Sequence, residues 1–153
     1  MSLLLDTHIV SDLHRPTRSR AGLLAWFRDQ IPDALYLSVI TLGEIRQGIE
    51  QIRRRDGRQA RNLGRWLDDL TRLYGDRLLP IDGLVADEWG RLRAIRTLPV
   101  VDTLLAATAR VHDLTLVTRN EKDFERRPRM KRNLVRTAPR RSGGRRSRSA
   151  GAG

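Results

Sequence analysis

The chain of 153 residues contains no cysteine, which excludes a disulfide framework and any thiolate metal site. No apolar run approaches the roughly 20 residues of a membrane-spanning helix. The opening apolar run is cut short by Asp6 and has no basic stretch before it, so we expect no signal peptide. Aromatic residues make up only 5% of the chain. Those at Trp26, Phe27, Trp66 and Trp89 fall on helical core stripes, which argues against a surface that binds nucleic acid by base stacking. These absences lead us to expect a soluble, cytoplasmic protein that makes no use of a membrane.

One further absence is regional. No acidic residue follows Glu125, whereas eleven basic residues do. The formal net charge of +12 therefore belongs to that end: residues 1–125 carry 19 basic and 18 acidic side chains, a net of +1. A near-neutral body with a basic extension is a different object from a uniformly basic domain. The last stretch, "APRRSGGRRSRSAGAG", has almost nothing apolar to bury against its ordering entropy, and we expect disorder over 138–153. That leaves one domain over 1–137, long enough for a single core, with "NLVRT" at 133–137 able to add one short edge strand.

Within the body, short strands alternate with helices. Residues 2–5, 34–38, 77–81 and 114–118 read as buried strands, because they are brief and apolar on both faces. Helical spacing runs through 21–30, 41–52 (Leu42, Ile45, Ile49) and 59–74 (Leu63, Trp66, Leu67, Leu70, Leu73). It returns after Asp82, with Val85, Trp89, Leu92 and Ile95 on one stripe, and in the alanine-rich 101–111 after Pro99. Strands separated by helices require crossover connections. The fold class is therefore α/β, a small parallel sheet with helices on both faces.

Several carboxylates occupy strand ends and helix starts. Asp6 ends the first strand in "LLLDTH", Glu44 lies in "SVITLGEIRQGI", Asp102 in "PVVDTLLAATA", and Asn120 and Asp123 in "TRNEKDF". In a parallel sheet these positions share the carboxyl edge, where open α/β folds bind ligands. Clustered carboxylates repel unless a cation neutralises them, and hard oxygen donors select Mg²⁺ or Mn²⁺. Each residue also has a plainer use. Asp6 and Asp102 suit helix caps or first turns, Glu44 a solvated helix face, and Asn120 and Asp123 a turn. His8, His14 and His112 share no metal-binding spacing, and Asp82, Asp87 and Glu88 read as capping and first-turn charge.

Taken together and in order, "LLLDTHIVSDL", "LSVITLGEIRQGI" and "LPVVDTLLAATARVHDLTLVTRNEKDF" resemble the PIN-domain ribonucleases, most closely the VapC-type toxins of bacterial toxin–antitoxin pairs. The likeness covers residues 3–124, and its last motif is the most specific. It implies a three-layer PIN-like sandwich and an endoribonuclease in which an acidic quartet binds one or two divalent metals. Asp6, Glu44 and Asp102 match the first three acids; the fourth place falls at Asn120 or Asp123. His8 stands where the family often has Asn. The resemblance also implies Mg²⁺ (or Mn²⁺) as cofactor, RNA as substrate and a homodimer built largely from helices, for which 41–52 and 59–74 are the candidate contributors. It further implies a VapB-like antitoxin whose tail fills the acidic groove. Arg119 is the first candidate for phosphate contact, with Arg15, Arg18 and Arg20 extending the track. The arginine-rich end lies outside the family pattern. Two other functions compete with a toxin: a non-catalytic RNA- or protein-binding module whose carboxylates are caps, and a PIN-like nuclease outside any toxin system.

Overall fold

The computed structural model describes residues 1–15, 21–95 and 99–119, together with the backbone of a short strand at 136–137. Asn120, Asp123, Arg18, Arg20 and the segment 138–153 lie outside the described residues.

Strand β1 (Leu3–Leu5) leads directly into helix α1 (Thr7–His14), and α2 (Ala21–Arg28) precedes β2 (Leu35–Ser38). Helices α3 (Val39–Arg53) and α4 (Gly57–Tyr74) form an adjacent packed pair before β3 (Leu78–Leu79). A second packed pair, α5 (Gly83–Ile95) and α6 (Val100–Val111), precedes β4 (Thr115–Thr118), and β5 (Arg136–Thr137) closes the order. The strands form one sheet in the order β3-β2-β1-β4-β5, and each neighbouring pair is parallel.

The pleat explains the three layers. Successive side chains of a strand point to opposite faces, so Leu3 and Leu5 of β1 enter one core with Leu35, Leu37 and Val117. Helices α1 to α4 cover that face through Ile9, Leu23, Ile45, Ile49 and Leu67. Leu4 points the other way and joins Leu116 and Leu79 beneath Val85, Leu92 and Leu105 of α5 and α6. Leu4 and Leu5 are fully buried at 0% exposure; burying a leucine contributes roughly 1.5–3 kcal/mol. Strands wedged between two apolar layers carry no polar face, which is why their sequences read as uniform apolar runs.

Helix boundaries follow their caps. Ser38 ends β2 and also caps α3, its Oγ accepting from the Ile40 amide at 3.2 Å; α3 therefore begins at Val39 rather than at the expected 41. Asp56 Oδ1 accepts from the Gln59 amide at 2.9 Å, so α4 starts at Gly57. Asp82 Oδ1 accepts from the Val85 amide at 2.9 Å, the capping role read from the sequence. The α4 terminus is a glycine, Gly75 at φ +45°, a region open to residues without a Cβ. Strand β3 is only two residues, since Pro80 offers no N–H to extend its ladder.

The strand order places the site. The chain runs outward from β1 through β2 to β3, then returns to lay β4 on the other side of β1. The order reverses between β1 and β4, and doubly wound sheets bind ligands at the carboxyl end of such a reversal.

Candidate functional site

Asp6 and Thr118 stand at that reversal. The β1–β4 register pairs Leu5 with Val117, so the next residue of each chain emerges at the same level. The ladder extends one step further through the Asp6 amide, which donates to the Val117 carbonyl at 3.0 Å. Thr118 Oγ1 then donates to Asp6 Oδ2 at 2.6 Å. Asp6 occupies the N-cap position of α1 with extended backbone, yet its side chain makes no capping hydrogen bond. The carboxylate faces β4 instead. Capping is thus not what places an aspartate at the end of this apolar strand.

The Asp6 residue is 6% exposed. Among the described residues, Thr118 gives this buried carboxylate one neutral hydrogen bond, which leaves further lone pairs open to a ligand. His8 Nδ1 lies 3.8 Å from Asp6 Oδ2, but the His8 side chain is 81% exposed and contributes only weakly through solvent.

Glu44 is drawn to the same edge by the neighbouring residue. Thr7, buried at the start of α1, donates its hydroxyl to Glu44 Oε2. Asp6 and Thr7, the residue that holds Glu44, are therefore adjacent positions of one strand–helix junction. Glu44 lines a cavity of about 380 Å³ between α1, α3 and α4, whose walls also include Ile45, Ile49, Leu63 and Trp66. A more polar groove of about 330 Å³ runs alongside, past Ser11, Asp12, Arg15 and Gln47. In the cavity wall the His14 ring stacks on Trp66 with centroids 3.9 Å apart. Burial, and secondarily Arg15, pulls the His14 pKa below its usual 6.5.

Asp102 occupies the first turn of α6, where Pro99 holds the N-cap position without a side-chain cap bond. Asp102 is half-buried, and α6 packs against α3, the helix that carries Glu44. Among the described residues, no group of three or more histidine, aspartate and glutamate side chains is close enough to hold a metal ion. The described structure thus joins Asp6 and Glu44 through the Asp6–Thr7 junction and sets Asp102 on a helix packed against α3; the fourth candidate position, Asn120 or Asp123, is not described. The donor chemistry suits a hard divalent cation, because Mg²⁺ needs only one or two carboxylates and keeps several waters.

Arg119 follows Thr118 directly. Its guanidinium is paired with the half-buried carboxylate of Asp12 on α1, so its charge is already answered within the protein. The sequence reading missed Thr118, Thr7 and Asp12, the residues that hold Asp6, Glu44 and Arg119. Each of these pairs joins residues distant in sequence, and pairing Thr118 with Asp6 required the β1–β4 register.

The three-layer α/β sandwich carries Asp6 at the sheet reversal, with Glu44 joined to it through Thr7 and Asp102 on a helix packed against α3. The family model described as PIN domain matches residues 3–130. The chain belongs to the PIN-domain family. It is 31% identical to Toxin FitB of Neisseria gonorrhoeae over 128 residues, which is 80% of this chain and 90% of that protein. It is 33% identical over 131 residues to the VapC ribonuclease Y4jK of Sinorhizobium fredii, again 80% of this chain and 90% of the relative. Among solved structures, FitAcB from Neisseria gonorrhoeae superposes with a TM-score of 0.76 at 28% identity, covering 88% of this chain and 96% of that one. PIN-domain nucleases of the VapC type are generally divalent-metal dependent.

Proposed function

We propose that this chain is a Mg²⁺-dependent endoribonuclease, the toxin of a type II toxin–antitoxin pair, whose cation is held by Asp6 and Asp102 with Glu44 beside it. The observation that carries this reading is the nearly buried Asp6 carboxylate at the sheet reversal, fixed by Thr118 and unused as a cap. The similarity to a toxin and to a VapC ribonuclease supports the same reaction class.

When bound, a divalent cation supplies Lewis acidity, making water a competent nucleophile near neutral pH and offsetting charge on the phosphate oxygens. The chain's own residues supply the rest. Thr118 fixes the rotamer of Asp6, and Thr7 fixes that of Glu44, so neither carboxylate has to be ordered during the reaction. In this reading Glu44 accepts the proton of the attacking water. Hydrolysis breaks one P–O ester bond, and the leaving oxygen takes up a proton.

An antitoxin of VapB type and a second copy of this chain are the proposed protein partners, acting in the cytoplasm. Among the described residues no helix is long and apolar enough to cross a membrane. The test is cleavage of purified cellular RNA by the full chain with Mg²⁺, with Mn²⁺ and with EDTA. Cleavage that requires a divalent ion supports the reading; RNA bound but uncut under every condition makes the chain a binding module.

A further inference from the structure

The polar groove beside Glu44 leads away from the carboxyl edge along α3. Its α3 wall is built by Glu44, Gln47, Gly48 and Gln51, residues three and four apart that share one face of a helix. The same face continues into Arg54 and Arg55. Arg54 caps α3 with helical backbone, and the Arg55 amide still bonds the Ile52 carbonyl at 2.9 Å. At 1.5 Å per residue, Arg55 stands about 16 Å along the helix from Glu44. The adjoining apolar cavity runs the same way, from Thr7 and Glu44 to Ile52 and Gln59. The turn between α3 and α4 therefore stands at the far end of both.

That turn is strongly basic. Residues 53–65 carry six arginines and one aspartate, although residues 1–125 as a whole carry a net charge of only +1. Arg46, Arg53, Arg72, Arg91, Arg110 and Arg119 each face an aspartate or glutamate. Arg54, Arg55, Arg58 and Arg61 are exposed, and among the described residues they form no such pair. Asp56, the one acid of the stretch, turns its carboxylate to the Gln59 amide at 2.9 Å. Arg61 folds back over the start of α4, its Nη1 3.6 Å from where a Cβ on Gly57 would stand. Clustered like charges raise the local potential and draw a polyanion to that place. The rest of the body is net acidic, so RNA reacting at the Asp6 edge needs such a source of attraction.

We infer that Arg54, Arg55, Arg58 and Arg61 form a second binding site for the substrate, gripping backbone phosphates of single-stranded RNA at the far end of the groove. The strand passes over the α3–α4 turn and follows the groove to the Asp6 edge. Guanidinium groups pair with phosphate oxygens through a planar, two-donor fork. Residues 53–65 contain no aromatic side chain, so the grip reads phosphate and no base. It contributes affinity and salt dependence, and the cleavage step stays with the carboxylates. This inference rests on the nuclease reading.

The experiment compares the full chain with a full-length R54Q/R55Q/R58Q/R61Q variant and with R54K/R55K/R58K/R61K, which keeps the charge. Glutamine and lysine have helix propensities close to that of arginine, and the sheet and the carboxylates are untouched. Binding of a labelled 20-nucleotide uridylate RNA is measured in EDTA from 50 to 200 mM KCl. Each phosphate contact to a single strand contributes about 0.7 to the slope of log affinity against log salt, so four arginines predict a slope shallower by about 2.8 in the glutamine variant. The wild-type advantage should then shrink about 50-fold across that salt range. The lysine variant should keep the wild-type slope. With metal present, KM for RNA should rise in the glutamine variant while kcat holds. An unchanged slope in the glutamine variant overturns the proposal, as does a lysine variant that loses the slope equally, since charge is then not the cause. A slope change found only with duplex DNA of equal length overturns it too. Unchanged RNA binding with weakened binding of poly-glutamate overturns it in favour of an acidic protein partner. Metal-dependent cleavage by the full chain is scored separately: its absence sinks the nuclease reading, whereas an unchanged salt slope sinks only the role of the arginine cluster.

Discussion

Thr118 Oγ1 and Asp6 Oδ2 lie 2.6 Å apart across 112 residues of sequence, and this bond sets the orientation of the acid on which the site is built. Replacing Thr118 with Val keeps the shape and deletes the donor. Loss of a partner that orients a metal ligand typically costs 10- to 100-fold in metal affinity or activity. We expect Thr118→Val to need about that much more divalent ion for half-maximal RNA cleavage, with turnover partly restored at saturating metal. A metal titration indistinguishable from wild type would show that the hydroxyl does not matter to the site.

Asp6→Asn and Asp102→Asn should remain folded and lose nearly all cleavage. Asp6→Asn removes a nearly buried charge that, among the described residues, has one hydroxyl and a solvent-exposed histidine beside it. Its thermal midpoint in EDTA is therefore expected at or above that of wild type. Circular dichroism melts and a cleavage assay on the same preparations check both parts. Wild-type turnover by either variant would remove that residue from the site.

Thr41 lies one turn before Glu44, fully buried, and its Oγ1 has no hydrogen-bond partner among the described residues. A buried hydroxyl without a partner carries an uncompensated desolvation cost of about 1–3 kcal/mol. Thr41→Val should be neutral or stabilising by up to about 1 kcal/mol in urea unfolding, with cleavage unchanged. A clear loss of activity would assign the hydroxyl a ligand.

His14 gives the fold a pH dependence of known sign. Its pKa in the folded chain lies below 6.5, through burial first and Arg15 second. The unfolded chain therefore takes up this proton before the folded chain does, and stability falls as pH drops below about 6.5. The melting temperature should decline less between pH 7.5 and 5.5 in His14→Gln than in wild type. Equal declines would show that His14 is not the group responsible. The ring stacking with Trp66 is lost in the variant at both pH values and cancels from the comparison.

The fold was legible where burial is two-sided. Leu3–Leu5 and Thr115–Thr118 announce themselves as strands because both faces are covered, and the Asp82 cap announced α5. Helix α1 was harder, since "THIVSDLH" is short, half polar and entered without a side-chain cap bond. Local pattern supplied Asp6, Glu44 and Asp102 as acids at strand ends and helix starts. It could not supply Thr118 as the partner of Asp6, because that pairing depends on β4 lying beside β1 in one register. Arg119 shows the same limit: local pattern could not supply Asp12 of α1 as its ion-pair partner.

The central claim is that Asp6 ends its strand in order to hold a cation. The most direct measurement is calorimetric titration of Mn²⁺ into the metal-free full chain and into Asp6→Asn under identical conditions. We predict saturable binding by the wild type and none by the variant. Equal binding by both, or none by either, would contradict the assignment and return Asp6 to a purely structural role.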